Sequence, residues 1–421
     1  MKKEKWFYIF VLLWALLQLI IIIANYHLPF GPDAQGYESH AISCYNLGST
    51  YPSINNLYDT YIQAPGLVNA LIPVYAIFHS VRPFFFLNLL MNVAILFEIV
   101  YLGKKFFSDN VGYLSGVIYA LLLSNMFAPA NLCSEVLYLF LSLSGFCLSL
   151  KERPINQILA GGAYALAYTV RPLVLAFVVA SIVYHVILKV KKINPVLLVL
   201  MFGLILCSIA SYNYKKVGTP LISSSTGGYN LLMTANDKAT PLPNHSIYYD
   251  ENGFAHPQIV GHLTFYEKDN IWKQEAVSWI KKHPTKYLLL CVERIGVMFN
   301  KDVWSVPYFL GNLDNPDYAI KSGSRNRMIL CQLIRMGYSL WYYLVFIFFI
   351  ISLCKNRKCI FTRKGILLII FALGVGGTCL FPMEHRYHYP YMFIVAIWAA
   401  AYLVNLRYIR KLWLRLTKKD S

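Results

Sequence analysis

Ten stretches of the sequence are almost wholly apolar and close to the length of a membrane crossing: 6–25, 84–103, 111–131, 136–150, 156–171, 172–188, 195–212, 329–354, 365–382 and 389–406. A hydrocarbon core about 30 Å thick takes roughly 20 helical residues to cross. A backbone in lipid must also satisfy its own hydrogen bonds, which favours helices. Runs of this length and number exclude an ordinary soluble domain. They predict an all-α polytopic membrane protein of about ten transmembrane helices with further helices lying at the surface. The composition agrees: 57% hydrophobic residues, 14% charged and a mean hydropathy of +0.49.

The net charge of +18 invites a nucleic-acid reading, but lysines and arginines kept on the cytoplasmic side of a membrane protein account for it. No nucleic acid is expected as a partner. The same rule decides an ambiguous stretch, 64–78, which is apolar but short and interrupted by Pro65, Gly66 and Pro73. Suppose the N-terminus, with Lys2, Lys3 and Lys5, is inside. If 64–78 does not cross, then Lys104-Lys105, Lys151 with Arg153, the cluster 189–192, the cluster 355–358 and the tail from Arg407 to Lys419 all fall inside. That choice places roughly 21 of the 38 lysines and arginines on short cytoplasmic segments. Segment 64–78 is therefore expected to lie on the outer face as an interfacial helix. The start, Met1-Lys-Lys-Glu-Lys5, resembles a signal peptide, but Asn25-Tyr-His-Leu-Pro29 offers no small-residue cleavage site, so an uncleaved first helix is expected.

Three regions follow: 1–212, an N-terminal transmembrane catalytic module with an external loop over 26–82; 213–328, an external region holding the longest polar sequence; and 329–421, C-terminal helices with a basic cytoplasmic tail. Within 213–328 the run 223–228 reads as loop, and 270–300 has helical spacing broken at His283-Pro284. The nine cysteines lie mostly in apolar runs without CxxC spacing and read as small core residues.

This topology gathers unusual polar residues on one face. Asp33 and Glu38 follow the first span, in Pro29-Phe-Gly-Pro-Asp-Ala-Gln-Gly-Tyr37-Glu-Ser-His40. That stretch reads as a turn-rich loop, since its prolines cannot continue a helix. Arg82 precedes the second span, Glu135 follows the third, Arg171 joins the fifth and sixth, and 383–389, with His385 and Arg386, joins the last two. Each taken alone has a plain explanation. A carboxylate can be simply interfacial, an arginine can snorkel to lipid phosphate, and tyrosines favour the interface belt. Together they suit one chemistry. A carboxylate can take a proton from an attacking hydroxyl, while arginines hold a phosphate leaving group on a lipid. No HExxH, GxGxxG or P-loop occurs, so neither a metal nor a nucleotide cofactor is expected.

The order of these pieces resembles the GT-C glycosyltransferases, in the branch of the dolichyl-phosphate-mannose protein mannosyltransferases and the bacterial lipid A aminoarabinose transferases. Asp33-Ala-Gln-Gly-Tyr37 resembles the acidic pair and aromatic that open the family's first external loop, although Ala34 stands where a second acid is common. Ala64-Pro65-Gly66-Leu67 is similar to its turn into an interfacial helix, with Gln63 where some members carry a lysine. Arg82 with Asn88, Ser134-Glu135, Arg171-Pro172 and Arg386-Tyr387 with Pro390 resemble further family pieces, and 227–230 with Asn236 is similar to a Gly-Tyr-Asn…Gly-Asn stretch. The similarity covers most of the chain but is weak residue by residue.

The resemblance implies an inverting glycosyltransferase that uses a polyprenyl-phosphate-linked sugar as co-substrate, on the external face of a bacterial inner (plasma) membrane. Asp33 would be the base, with Glu38 its rival. Glu135 would orient an arginine or the acceptor. Arg82, Arg171, Arg386 and His385 would contact the donor phosphate, and Tyr37, Asn230 and Asn236 the acceptor. Glycan, lipid and protein all stay open as acceptors. A lipid-linked glycan polymerase or ligase, relying on His385 and Arg386, and a glycolipid transporter or flippase also stay open. The absence of any internal repeat weakens the transporter.

Overall fold

The computed structural model describes residues 2–187, 193–248, 255–256, 260–302 and 325–406. The basic cluster 189–192, part of 213–328 and the tail from Arg407 lie outside the described residues. Among those described, the chain is all-helical. Five helices are long and apolar enough to cross a membrane: Glu4–Asn25, Phe84–Phe106, Ile193–Val217, Met336–Lys355 and His385–Val404. A sixth candidate, Asp109–Ala120 with Leu123–Ala130, is bent by 72° at its break.

The remaining expected spans fall on helices too short for a full crossing. The helix Ser134–Ser149 has 16 residues. Sixteen residues rise only about 24 Å, short of a hydrocarbon core of about 30 Å. The helix Ile366–Thr378 has 13. The run 365–382 counts residues beyond the helix end at Thr378, so there it overstates the helix. The segment expected to lie at the interface forms α3 (Pro65–Phe78), with Pro65 opening the helix, where a missing N–H costs nothing.

The first helix, α1 (Lys2–Asn25), ends at a turn, and α2 (Pro32–Asn46) begins directly after it. Here the structure corrects the expected loop. Gly31 is extended and caps the helix, and Pro32 takes the first helical position, which suits its fixed φ. Asp33 thus lies in the first turn of a helix, where the positive end of the helix dipole favours a carboxylate.

The core of the bundle is α16 (Met392–Val404), whose side chains are nearly all buried. It packs against α5 (Asp109–Ala120) and α14 (Arg325–Lys355). Membrane helices gain little from excluding lipid and associate through close packing and shared hydrogen bonds. Both devices occur. The helix α4 (Phe84–Phe106) meets α5 at Gly103 and Gly112, and a Cβ on Gly103 would sit 2.7 Å from the Gly112 Cα. Buried Asn92 donates to Gln18 Oε1 at 3.1 Å and to the Asn125 carbonyl at 2.8 Å, joining three segments of the bundle.

The polar region forms a smaller cluster around α11 (Gly227–Thr234), α12 (Phe265–Lys282) and α13 (Pro284–Phe299), with Trp272 and Met298 fully buried among them. The expected loop at 223–228 ends sooner, because Gly227 and Gly228 already belong to α11. The break at His283-Pro284 falls between α12 and α13 as the spacing predicted.

Candidate functional site

Four helix ends that the charge parity grouped on one face meet in space. The start of α2 brings Asp33. The start of α7 (Ser134–Ser149) brings Ser134 and Glu135. The end of α8 (Pro154–Val170) brings Arg171, and a short helical turn, His385–Tyr391, brings Arg386 just ahead of α16.

Local sequence explains each placement. Pro172 bars Arg171 from continuing α8, so Arg171 turns extended, with φ −149 and ψ 126. Its guanidinium then donates from Nε and Nη2 to Ser134 Oγ, at 3.1 and 3.0 Å, and from Nη2 to Glu135 Oε1 at 2.6 Å. Glu135 lies in the first turn of α7, and its side chain is only 1% exposed. The same carboxylate oxygen is 3.8 Å from Arg386 Nε. A second and a third acid flank Arg386: Nη2 is 2.7 Å from Asp33 Oδ2, and Nε is 2.6 Å from Glu384 Oε2. Tyr387 lies beside both arginines, its ring centre 5.5 Å from the Arg171 guanidinium and 5.7 Å from that of Arg386. Two arginines and three carboxylates thus form one network with a net negative charge.

The network has a buried end and an open end. Glu135 is sealed, whereas Asp33 and Glu384 are 50% and 42% exposed. The open end faces a cavity of about 470 Å³, lined by Asp33, Glu384, His385 and Arg386 and by apolar groups including Phe30, Phe85 and Leu132. A few polar groups set in an apolar cleft is the usual form of a small-molecule site. Tyr37, one turn along α2 from Asp33, sits against the network. Burial pushes its phenol up, and the carboxylates of Asp33 and Glu135 push it further. Gly36 lies beside it, close against the end of the Gln63 side chain, where a Cβ would come 2.6 Å from Nε2.

The other expected site residues stand apart from the charged network. Arg82 Nη1 donates to the Leu28 carbonyl at 3.0 Å and to the Tyr26 carbonyl, and its guanidinium stacks over Phe30. It braces the turn between α1 and α2. Glu38 is half-buried on α2; burial raises its pKa and Arg82 partly offsets this. His385 lines the cavity but its Nδ1 faces the Val297 carbonyl at 2.9 Å. Asn230 lies within α11, and Asn236 caps it, donating to the Leu232 carbonyl at 2.7 Å. Neither lines the cavity. Sequence reasoning left Glu384, Tyr387 and Ser134 without roles. The first two sit beside Arg386 in sequence, a signal that was legible.

His388, also unassigned, is fully buried. Its Nδ1 faces the Met298 carbonyl at 3.0 Å and its Nε2 faces Asp302 Oδ1 at 3.1 Å. Asp302 Oδ2 accepts from the Ser124 N–H at 3.3 Å. This buried bridge fixes the turn carrying Arg386 to α13 and to the bent span. Among the described residues, no group of three or more histidines, cysteines, aspartates or glutamates is arranged to hold a metal ion.

Fold and site together define an all-α membrane chain whose helix ends enclose a charged cleft. No protein-family model matches the sequence, and no curated protein matches it. The fold has solved counterparts. It is similar to the oligosaccharyltransferase of Archaeoglobus fulgidus in its apo form, with a TM-score of 0.56 and 13% identity over 99% of this chain and 52% of that one. It is similar to the same archaeal enzyme, AglB, in complex with an inhibitory peptide and a dolichol-phosphate, with a TM-score of 0.52 and 12% identity over 100% of this chain and 52% of that one. A third structure, tethered to an acceptor peptide, gives a TM-score of 0.53 at 12% identity over 98% of this chain and 51% of that one. The chain spans about half the length of these structures. At such identity the likeness establishes the fold. These counterparts are oligosaccharyltransferases and do not single out the mannosyltransferase or aminoarabinose-transferase branch.

Proposed function

We propose that the protein is an integral-membrane inverting glycosyltransferase of GT-C type, moving a sugar from a polyprenyl-phosphate donor to an acceptor hydroxyl on the external face of the membrane. The observation that carries this reading is Arg386 held between Asp33 and Glu384 on the wall of a mostly apolar cavity. A base and a phosphate-binding cation are then adjacent, at the end of a helical bundle that a lipid tail can reach. The fold it shares with an oligosaccharyltransferase solved with dolichol-phosphate supports a lipid-linked donor.

In this reading the donor phosphate enters beside Arg386 and Arg171 and competes with the carboxylates for their N–H groups. Asp33, released from Arg386, accepts the proton of the acceptor hydroxyl. The acceptor oxygen attacks the anomeric carbon from the face opposite the phosphate, the carbon–oxygen bond to phosphate breaks, and its electron pair leaves with the polyprenyl phosphate. The anomeric configuration inverts. The arginines stabilise the charge that grows on the phosphate. Glu135 holds both arginines from behind, Tyr387 covers them, and Arg82 braces the turn that presents Asp33. The branch within the superfamily, the sugar and the acceptor follow from a substrate panel.

The test uses purified protein in nanodiscs with radiolabelled polyprenyl-phosphate sugars and a panel of glycolipid, polysaccharide and peptide acceptors. Release of polyprenyl phosphate coupled to labelled product is expected. Transbilayer movement of the intact donor, with no bond broken, would instead make the chain a flippase.

A further inference from the structure

The helix α13 carries three distinct faces. Tyr287, Leu290, Arg294 and Met298 are buried against the protein. Leu288, Leu289, Val292 and Ile295 are 65%, 61%, 61% and 37% exposed. Lys286 and Glu293 are exposed as well. At about 3.6 residues per turn these sets fall in separate sectors, and the two charged residues share one edge beside the apolar stripe. Large aliphatic side chains grouped in the open mark a contact surface. A helix with an apolar stripe and a polar edge is the form that lies in a membrane interface.

Two observations name what covers the stripe. The first is continuity with the membrane helices. The Phe299 ring at the end of α13 lies 5.3 Å from Phe346 on α14 and 5.7 Å from Phe371 on α15 (Ile366–Thr378). The Phe299 carbonyl accepts from Tyr342 Oη at 3.1 Å, and the Asn300 carbonyl accepts from Tyr343, an exposed residue of α14. All three α14 residues lie within Met336–Lys355, which is long and apolar enough to cross a membrane. The second is charge. Lys281 and Lys282 end α12 and Lys286 follows in the first turn of α13, all exposed, where amines can meet lipid phosphates.

The buried face holds the strap that carries the charged network. Arg294, fully buried, donates from Nη1 to the Cys379 carbonyl at 3.2 Å and from Nη2 to the Thr234 carbonyl at 3.0 Å. Its charge thus sits at the carbonyl ends of α15 and α11, where a cation is favoured. Tyr287 Oη donates to the Leu380 carbonyl at 2.7 Å. Further along the strap, His385 and His388 face the Val297 and Met298 carbonyls of α13.

We infer that α13 is an interfacial anchor. Its stripe of Leu288, Leu289, Val292 and Ile295 inserts among lipid acyl chains at the bilayer surface, and its buried face holds the strap bearing Glu384 and Arg386 at headgroup depth. The partner is the lipid surface itself. The seat of the helix is measured without sugar transfer, so this inference and the reaction proposed above can fail separately.

The full-length protein is placed in phosphatidylcholine–phosphatidylglycerol nanodiscs and spin-labelled at Leu289→Cys or Val292→Cys, in a background lacking the exposed Cys207 and Cys354. The unsubstituted background serves as the blank. Collisions with oxygen should exceed those with a water-soluble nickel chelate at both positions, and the order should reverse at Lys286→Cys and Glu293→Cys. A lipid-soluble diazirine in nanodiscs holding the unaltered protein checks the same face with no variant to fold. Its adducts should fall on Leu288, Leu289, Val292 and Ile295 and spare α12. Nickel access at 289 and 292 equal to that at 286 would put the stripe in water. Labels shielded from both reagents would put protein over it, from a second copy or from elsewhere in the chain. Either result, or a diazirine map that marks α14 and leaves α13 clean, overturns the inference.

Discussion

Arg386 Nη2 lies 2.7 Å from Asp33 Oδ2, while Nε of the same guanidinium lies 2.6 Å from Glu384 Oε2. One cation from the last described span is thus shared by a carboxylate on the first surface helix and a carboxylate beside it in sequence. The charged cluster thus joins helix ends within 1–212 to residues 384–387, and the predictions below turn on how this group divides its work.

Asp33→Asn should lower transfer by about 10²–10⁴ while donor binding survives, since asparagine keeps the shape but accepts no proton. The fold should tolerate the change, because the side chain is 50% exposed. Single-turnover rates at matched donor occupancy separate chemistry from binding. Glu384→Gln and Glu38→Gln should be milder. An active Asp33→Asn enzyme beside an inactive Glu384→Gln enzyme would move the base to Glu384.

Arg171→Lys and Arg386→Lys should each weaken donor use beyond what a conserved charge suggests, because lysine loses the planar fork. Arg82→Lys should differ. It loses hydrogen bonds to the 26–28 turn, so its effect should appear in thermal stability more than in the KM for donor. Equal KM shifts for Arg82→Lys and Arg386→Lys would place Arg82 on the phosphate after all.

Glu135→Gln should be the most destabilising change at the site. It leaves Arg171, 18% exposed, without its buried counter-charge. Removing one partner of a buried pair costs about 3–5 kcal/mol. The melting temperature in detergent should fall, and the Glu135→Leu/Arg171→Met double variant should recover part of the loss. A strictly additive double variant would mean the two side chains are not coupled.

Glu38 predicts a pH signature. Burial raises its pKa in the folded chain above the usual carboxylate value, with Arg82 opposing. A raised folded pKa favours folding below the unfolded pKa, and that benefit is lost as pH rises through the folded value. Relative to wild type, Glu38→Gln should therefore gain thermal stability as pH rises above the ordinary carboxylate range and show no gain below it. Melting curves across that range give the answer, and a gain confined to acid pH would reverse the sign.

Orientation can be read by maleimide labelling of intact cells in a background lacking the exposed Cys207 and Cys354. Ser108→Cys and Glu152→Cys, both exposed, should be protected from an impermeant reagent, and Ser246→Cys should react. Ser149 would be a poor probe, since it is fully buried and bonded to Ser181 at 2.9 Å. Labelling of Ser108→Cys from outside would invert the topology.

The sequence by itself determined the class of protein and four members of the charged cluster, while leaving out Glu384 and adding Arg82 and Glu38. Long apolar runs admit only helices in lipid, and lysine and arginine parity put Asp33, Glu135, Arg171 and Arg386 on one side before any contact was known. The break at His283-Pro284 and the short helix at 64–78 were equally legible, because proline acts through local sterics. Tertiary structure alone decided the pairing. Asp33 meets Arg386 and Arg171 meets Glu135 across separations that periodicity cannot see, and Arg82 is taken up by the carbonyls of its own turn. It also decided which helices are long enough to cross. At 365–382 apolar character continues past the helix, which stops at Thr378. Local rules reach a few residues along the chain, and the site depends on which ends of separate helices come together when the bundle packs.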